Sequence, residues 1–170
     1  YLFDRPEAKE AFRLAADTAH AAGRKVALTL SDSFCVDRHR ADFLDLVAGG
    51  VDILFANEEE ITKLYEVDSF DEGVALVRGH CEIAAVTKGK DGSVVVTADD
   101  LVEVPAHQVP KLVDTTGAGD LYAAGFLFGL TSGRSLADCG RLGSIAAAAV
   151  IGHIGPRPGL SLAQMLYLAD

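Results

Sequence analysis

Residues 114–120 read DTTGAGD and stand between a strand-like run and a long stretch of small apolar residues. The glycines of this segment permit the backbone to approach a ligand closely. We expect the amides of Gly117, Ala118 and Gly119 to point outward at a helix start, where the first donors lack intrahelical partners. Free amides at the positive end of a helix dipole form an anion site. The segment therefore predicts a turn that holds an anion.

Asp120 follows these glycines and falls in the first turn of the same predicted helix. A carboxylate beside a bound phosphate is electrostatically costly, so this position favours a general base over a phosphate ligand. The alternative is an ordinary glycine-rich helix entry in which Asp120 only compensates the helix dipole. The residues alone leave both interpretations open.

A second motif, ANEEEI at residues 56–61, places Asn57 and Glu60 three residues apart at another helix start. The two side chains share one face of the helix and could hold hydrated magnesium, since this ion keeps several waters and takes few protein ligands. The alternative is a capping box, with Asn57 as the N-cap and Glu60 as its partner.

A third motif, VTKGKDGSV at residues 86–94, follows a buried strand and contains Thr87, Gly89 and Gly92. The position of these three residues makes them candidates for a ligand loop. The alternative is a plain β-hairpin turn at Asp91 and Gly92, a dipeptide that such turns favour.

The rest of the chain alternates between strand and helix patterns. Strand-like runs lie at 25–30, 51–56 and 83–89, and helices are predicted at 6–22, 37–48, 57–66 and about 70–79. Strands separated by helices indicate βαβ units and a parallel sheet. Residues 92–113 predict short antiparallel strands, the last of them at 111–113, and helices are expected at 118–132, about 135–151 and 161–169. The fold class is therefore α/β.

The composition excludes several partners. The chain of 170 residues has 25 acidic and 15 basic side chains, a formal net charge of −10, and no basic stripe, so nucleic acid is not an expected partner. No run reaches the ~18 apolar residues of a membrane span. Cys35, Cys81 and Cys139 show no metal-binding spacing and indicate reduced thiols, typical of a cytoplasmic protein. The start, YLFDRPEAKEAF, carries no signal peptide pattern and suggests a cut through a larger fold.

The three motifs, in this order, resemble those of the ribokinase-like (PfkB-type) carbohydrate and nucleoside kinases. DTTGAGD is similar to that family's D-T-x-G-A-G-D signature, NEEE to its N-x-x-E motif and TKGKDG to its T-x-G-x-x-G loop. The resemblance implies a three-layer α/β/α fold with a mostly parallel sheet. Residues 1–170 would be the C-terminal, nucleotide-binding part of the domain, and the acceptor site and lid would lie in an absent N-terminal half.

The resemblance also implies roles for individual residues. Asp120 would be the base that takes a proton from the acceptor hydroxyl, and Gly117, Ala118 and Gly119 would form the anion hole for the γ-phosphoryl group. The other implied contacts are Mg²⁺ and its water with Asn57 and Glu60, the nucleotide with Thr87, Gly89 and Gly92, and a monovalent cation, typically potassium, with Asp114 and Thr116. Residues 145–155 resemble the helix and loop along the adenine and cation sites.

The activity implied is transfer of the γ-phosphoryl group of ATP to a hydroxyl, with ATP, Mg²⁺ and K⁺ as cofactors. The stretches LTLSDSFCVDRHRADFLDLV and DILFANEEEITKLY resemble bacterial adenosine kinase-like members more than ribokinases or fructokinases. A nucleoside such as adenosine is therefore the expected acceptor. A sugar kinase of the ribose or fructose type and a non-catalytic nucleotide-binding protein are the alternatives. The whole protein is expected to be a monomer or homodimer, and residues 1–170 alone are expected to be inactive.

Five other side chains have open interpretations. Phe34 could line the cleft or lie in the core. His39 and Arg40 could contact substrate or phosphate, or could belong to the solvated start of the helix at 37–48. His107 and His153 are expected to be surface or loop residues.

Overall fold

The computed structural model describes residues 2–159 and 161–162. The helices are α1 (Pro6–Ala21), α2 (Ser33–Gly49), α3 (Glu58–Tyr65), α4 (Phe70–Val77), α5 (Ala118–Thr131) and α6 (Leu136–Ile151). The strands are β1 (Ala27–Thr29), β2 (Ile53–Asn57), β3 (Ile83–Thr87), β4 (Ser93–Val96) and β5 (Leu101–Val104). The helix predicted at 161–169 falls, apart from its first two residues, outside the described residues.

The chain divides into two compact units. The first comprises Tyr1–Val86 and Val96–Asp100, and the second comprises Thr87–Val95 and Leu101–Asp170. No helix in the described part of the chain is long and apolar enough to cross a membrane.

The first unit contains the predicted parallel strands. β1 and β2 run parallel, with Ala27 opposite Ile53 and Thr29 opposite Phe55, and β3 lies on the other side of β2. The first four residues of β2 and of β3 are buried without alternation. Such continuous burial is typical of a parallel strand covered on both faces, and the sequence analysis was correct here.

Of two helix starts in the first unit, that of α2 differs from the prediction and that of α1 agrees with it. α2 begins at Ser33, four residues before the predicted start at 37, because the carboxylate of Asp32 caps it by accepting the amide of Phe34 at 2.6 Å. The N-cap of α1 is Arg5, without a side-chain cap bond, and Pro6 takes the first helical position. Proline suits that position because its missing N–H would have no intrahelical partner.

β4 and β5 are neighbours in the sheet, as the sequence predicted, and the turn between them is closed by the Thr97 amide, which donates to the Asp100 carbonyl at 2.9 Å. The third predicted strand, at 111–113, is wrong, because this segment is irregular. The amide of Val113 instead donates to the carbonyl of Ile151 at 2.9 Å, so the end of α6 satisfies it in place of a strand partner.

α5 and α6 pack closely in the second unit, and glycines make this possible. A Cβ at Gly125 would lie 2.5 Å from the carbonyl oxygen of Leu142, and one at Gly143 would lie 2.9 Å from that of Tyr122. The backbones therefore approach to a distance that no side chain tolerates. Phe126 and Val150 are fully buried in this unit.

We expect Gly125→Ala to lower the free energy of unfolding by about 1–3 kcal/mol, because the added methyl group meets backbone that cannot rotate away. The measurement is urea unfolding followed by circular dichroism. The matched control is Gly49→Ala at the end of α2, where a Cβ would meet no described atom within 4 Å. Equal losses in the two variants would show that close approach of α5 and α6 is not the reason for the glycine.

Candidate functional site

The signature loop (residues 114–119) leads into α5 through a left-handed glycine. Gly117 is the N-cap of α5, with φ 81° and ψ 0°. A Cβ at this position would also lie 2.8 Å from Cβ of Pro156. Glycine is thus required at residue 117 both by its backbone conformation and by the neighbouring chain.

The first amides of α5 are only partly free. The amide of Ala118 donates to the carbonyl of Thr115 at 3.1 Å, so it does not point outward as the sequence analysis expected. The amides of Gly119 and Asp120 have no acceptor among the described residues, and a Cβ at Gly119 would meet no described atom within 4 Å. Two adjacent donors therefore open to solvent at the positive end of α5.

Sequence reasoning missed the amide of Asp120 as a donor. The available signal was its place as the third residue of the helix, because the first amides of any helix lack an intrahelical acceptor. The assignment of Gly117, Ala118 and Gly119 to an anion hole stays a prediction.

Asp120 lies in the first turn of α5, as predicted, and is exposed. Asp138 occupies the equivalent third position of α6, where its carboxylate accepts from Ser135 Oγ at 2.6 Å and pairs with Arg141 at 3.3 Å. The Asp120 side chain has no such partner among the described residues. This contrast favours the base interpretation, since a carboxylate must be uncommitted to accept a proton.

The Asp114 carboxylate accepts three hydrogen bonds from the protein. Its Oδ1 accepts the amide and the hydroxyl of Thr116 at 2.9 Å and 2.7 Å, and its Oδ2 accepts the amide of Gly155 at 2.9 Å. Donation by the Thr116 hydroxyl, followed by the amides of Gly155 and Thr116, lowers the pKa of Asp114 to about 2. The carboxylate therefore stays ionised throughout the neutral range.

This arrangement does not suit a monovalent cation at the Asp114 carboxylate. A carboxylate has about four acceptor positions, and three N–H and O–H groups already direct their hydrogens at this one. Positive hydrogens around the oxygens repel a cation and have already compensated much of the negative charge. The predicted potassium contact of Asp114 is not supported by this geometry.

Asn57 and Glu60 form the capping box that the sequence analysis gave as the alternative. Asn57 Oδ1 accepts the amide of Glu60 at 2.9 Å, and Glu60 Oε2 accepts the amide of Asn57 at 2.9 Å. Glu60 is only 5% exposed. Burial raises the pKa of its carboxyl, and the charges of Asp32 and Glu59 raise it further.

This environment fits a nearby divalent cation. A cation would relieve the repulsion among Asp32, Glu59 and Glu60, and the capping box takes only one oxygen of Glu60. In the described part of the chain, no group of three or more His, Cys, Asp or Glu side chains is placed to hold a metal ion. Magnesium commonly binds proteins through water, and such contact with Asn57 and Glu60 stays a prediction.

The third motif forms a tight turn, and its glycines differ in their surroundings. Residues Gly89–Asp91 form a short 3₁₀ helix, and the amide of Lys88 donates to the carbonyl of Gly92 at 2.7 Å. Gly92 has φ 99°, and a Cβ there would lie 2.0 Å from the carbonyl oxygen of Val104. Gly89 has φ 53°, and a Cβ there would meet no described atom within 4 Å. Packing therefore explains Gly92, whereas Gly89 leaves room for a ligand.

Phe34 and two polar side chains of α2 differ from some of their interpretations. Phe34 is 71% exposed, so its placement in the core is wrong. His39 is only 14% exposed, and its ring lies between Lys9 and Asp4, at 3.0 Å and 2.7 Å. The Nε of Arg40 donates to the carbonyl of Leu64 at 2.8 Å. A solvated helix start is therefore wrong for both polar residues, because the helix begins earlier and packs them against neighbours.

His107, His153 and the three cysteines agree with the expectations from the sequence. His107 is an exposed loop residue, and His153 lies in the loop after α6. All three cysteines are free thiols, and Cys81 and Cys139 are buried. Burial raises the pKa of Cys81 to about 11, which makes its thiolate rare at neutral pH.

Comparison with known proteins identifies the family. The family model of the pfkB family carbohydrate kinases matches residues 2–162. Among solved structures, an adenosine kinase from Sinorhizobium meliloti is 56% identical over all of this chain and 52% of its own, with a TM-score of 0.95. A probable sugar kinase from Rhizobium etli is 51% identical over 99% of this chain and 52% of its own, with the same TM-score.

More distant relatives carry similar names. A nucleoside kinase from Methanocaldococcus jannaschii is 37% identical over 58% of this chain and 32% of its own length. The chain belongs to the pfkB family of carbohydrate kinases, and the predicted ribokinase-like α/β fold is confirmed. The chain spans about half the length of the two solved structures that it matches over nearly its whole extent.

We expect Glu60→Gln to raise the free energy of unfolding at pH 7. The glutamine oxygen can still accept the Asn57 amide, while the buried charge is removed. Because the folded pKa of Glu60 is raised, its ionisation costs nothing below the unfolded value of about 4.3 and destabilises the fold as pH increases. The gain should therefore be present at pH 7 and absent at pH 4, measured by urea unfolding.

The matched control is Glu58→Gln, two residues away in the same helical turn but exposed. It removes a favourable charge from the helix start and should lower stability slightly. A loss of stability in Glu60→Gln at pH 7 would mean that the Glu60 charge stabilises the fold, contrary to the burial argument.

Proposed function

We propose that the protein to which this chain belongs is an ATP-dependent kinase that phosphorylates a hydroxyl of an adenosine-like nucleoside. The observation that carries the proposal is the start of α5, where two free amides lie beside the exposed carboxylate of Asp120. The two amides can stabilise a transferred phosphoryl group, and the carboxylate can deprotonate the hydroxyl that accepts it. Membership of the pfkB family supports the same chemistry.

In this proposal the amides of Gly119 and Asp120 donate to the oxygens of the γ-phosphoryl group. Phosphoryl transfer requires positioning and charge stabilisation more than covalent chemistry. Donors held by a helix need no reorganisation when charge develops, and removal of one such donor typically costs about 3–4 kcal/mol of transition-state stabilisation. This site also explains how an acidic chain with a net charge of −10 can bind a phosphate.

Asp120 accepts the proton of the acceptor hydroxyl as the oxygen attacks phosphorus. Its carboxylate has no competing partner among the described residues. Asn57 and Glu60 would hold the water shell of magnesium, and the ion, when bound, would neutralise charge on the ATP phosphates. Thr87 and Gly89 would contact the nucleotide in the 3₁₀ turn after β3.

The nucleoside acceptor is supported by the Sinorhizobium meliloti neighbour, which is 56% identical and is described as an adenosine kinase. Within this chain, Phe34 offers an aromatic surface that suits a nucleobase. Its exposed ring stands at the start of α2, just after the carboxyl end of β1, and the ammonium of Lys63 lies 5.1 Å from the ring centroid. Ligands of α/β proteins bind outside the carboxyl ends of the strands. An exposed aromatic face there can stack on a nucleobase, whereas a sugar gains less from it.

A sugar kinase is the second candidate, because the Rhizobium etli neighbour is described as a probable sugar kinase. The non-catalytic nucleotide-binding alternative is disfavoured by the uncommitted carboxylate of Asp120. We also propose that residues 1–170 are the C-terminal part of the domain. In that case they lack the acceptor site and turn over poorly alone.

We expect Asp120→Asn to lower turnover by about 10²–10⁴-fold in the complete product of the gene, because the general base is lost. Binding of ATP should be retained, since asparagine keeps the backbone amide. The measurements are ADP release with Mg-ATP and acceptor, and ATP binding by calorimetry.

The matched control is Asp138→Asn at the equivalent position of α6. If Asp120 only compensates the helix dipole, the two variants should lose similar stability and neither should lose turnover. Full activity of Asp120→Asn would reject the base assignment.

We expect the complete gene product to release ADP with adenosine and not with ribose, fructose or no acceptor, tested in parallel. Turnover with a sugar alone would keep the mechanism and replace the substrate. Bound ATP without turnover on any acceptor would favour the non-catalytic alternative.

A further inference from the structure

We infer that Asp114 is a positioning residue that fastens the signature loop to residues 151–156, in the place where the family resemblance implied a potassium ligand. The hydrogen bonds of Asp114 stand independently of any activity. The catalytic consequence rests on the proposed function.

Three contacts join the two segments. Asp114 Oδ2 accepts the amide of Gly155 at 2.9 Å. Gly117 faces Pro156 so closely that a Cβ would lie 2.8 Å from the proline Cβ. The Asp114 amide donates to the Ile151 carbonyl at 3.4 Å, next to the same contact of the Val113 amide at 2.9 Å. The signature loop is therefore held along its length by the chain that follows α6.

The Asp114 carboxylate has a different role at each oxygen. Oδ1 accepts twice from Thr116 and shapes the turn of the signature loop itself. Oδ2 reaches across to Gly155, forty-one residues later in the chain. Gly155 has φ 98°, a conformation that favours glycine, so the backbone on that side is also specialised for the contact.

We call the hydrogen bond between Asp114 and Gly155 the clamp. It influences the position of the free amides because the signature loop ends at Gly119, which carries one of them. Movement of the loop would move these donors relative to the phosphoryl group. Misplacement of about 1 Å can cost about a hundredfold in rate. A protein carboxylate surrounded by three donors fixes this position without a metal ion.

Asp114→Asn tests the clamp selectively. The asparagine oxygen can keep both Thr116 bonds, but its NH₂ group cannot accept from Gly155, because both are donors. Thr116→Val is the matched control, since it removes the hydroxyl and leaves the Gly155 bond in place. Gly155→Ala tests the same contact from the other side through its positive φ, should Asp114→Asn fold poorly.

We expect the Gly155 amide to exchange with deuterium about tenfold faster or more in Asp114→Asn, because a hydrogen bond to a charged group is lost. The exchange rate of the Gly155 amide in Thr116→Val should match that of wild type. In the complete gene product, kcat should fall about ten- to a hundredfold in Asp114→Asn with a smaller change in KM for ATP. Gly155→Ala should reproduce both effects.

The competing potassium role is tested in the same assays, with KCl replaced by tetramethylammonium chloride at equal ionic strength. If Asp114 acts as a clamp, the ratio of kcat in Asp114→Asn to kcat in wild type should be the same in KCl and in tetramethylammonium chloride. Potassium activation of wild type that disappears in Asp114→Asn would overturn the inference, as would unchanged exchange at Gly155. A wild type without turnover would reject the proposed function, and the exchange rates would still decide the clamp.

Discussion

The close approach of α5 and α6 is the constraint on which the proposed phosphate site of the second unit depends. Gly125 and Gly143 let the two backbones come within distances that exclude a Cβ, which fixes the axis of α5 and the direction of its dipole. At the start of the same helix, Gly117 lies against Pro156 for the same reason. Packing thus fixes the orientation of the free N–H groups of Gly119 and Asp120, although both residues are exposed.

Asp114 in the second unit and Glu60 in the first unit differ in how far the protein compensates their negative charges. In the second unit, Asp114 is compensated by three donors and keeps a pKa of about 2, so its charge is satisfied within the protein. In the first unit, burial and the neighbouring Asp32 and Glu59 raise the pKa of Glu60, so its charge is poorly satisfied. The two carboxylates therefore differ: three donors compensate the charge of Asp114, whereas the charge of Glu60 lacks comparable compensation, which is why we propose a hydrated cation beside it.

Local rules predicted much of this chain from its sequence. Buried apolar runs located β2 and β3, and the spacing of Asn57 and Glu60 gave the capping box as one of two open interpretations, which the structure contains. The errors arose where a local signal competed with a distant partner. Residues 111–113 have the composition of a strand but donate to the end of α6. α2 begins at Ser33, after the cap by Asp32, and its first turn contains the exposed Phe34, so the apolar pattern of a buried helix face does not extend to this turn. The contact of Asp114 with Gly155 could not be predicted, because it joins residues forty-one positions apart.

The structural and functional interpretations of these motifs are compatible in physical terms. The capping box orients Glu60 through one oxygen, and an oriented carboxylate binds a hydrated ion at lower entropic cost than a free one. The helix dipole that Asp120 compensates is the same field that attracts a phosphoryl group. Asp138 is engaged by Ser135 and Arg141, whereas the Asp120 carboxylate has no such partner among the described residues, which is why we propose it as the base. Chemical availability, rather than the motif letters, separates a helix cap from a catalytic base.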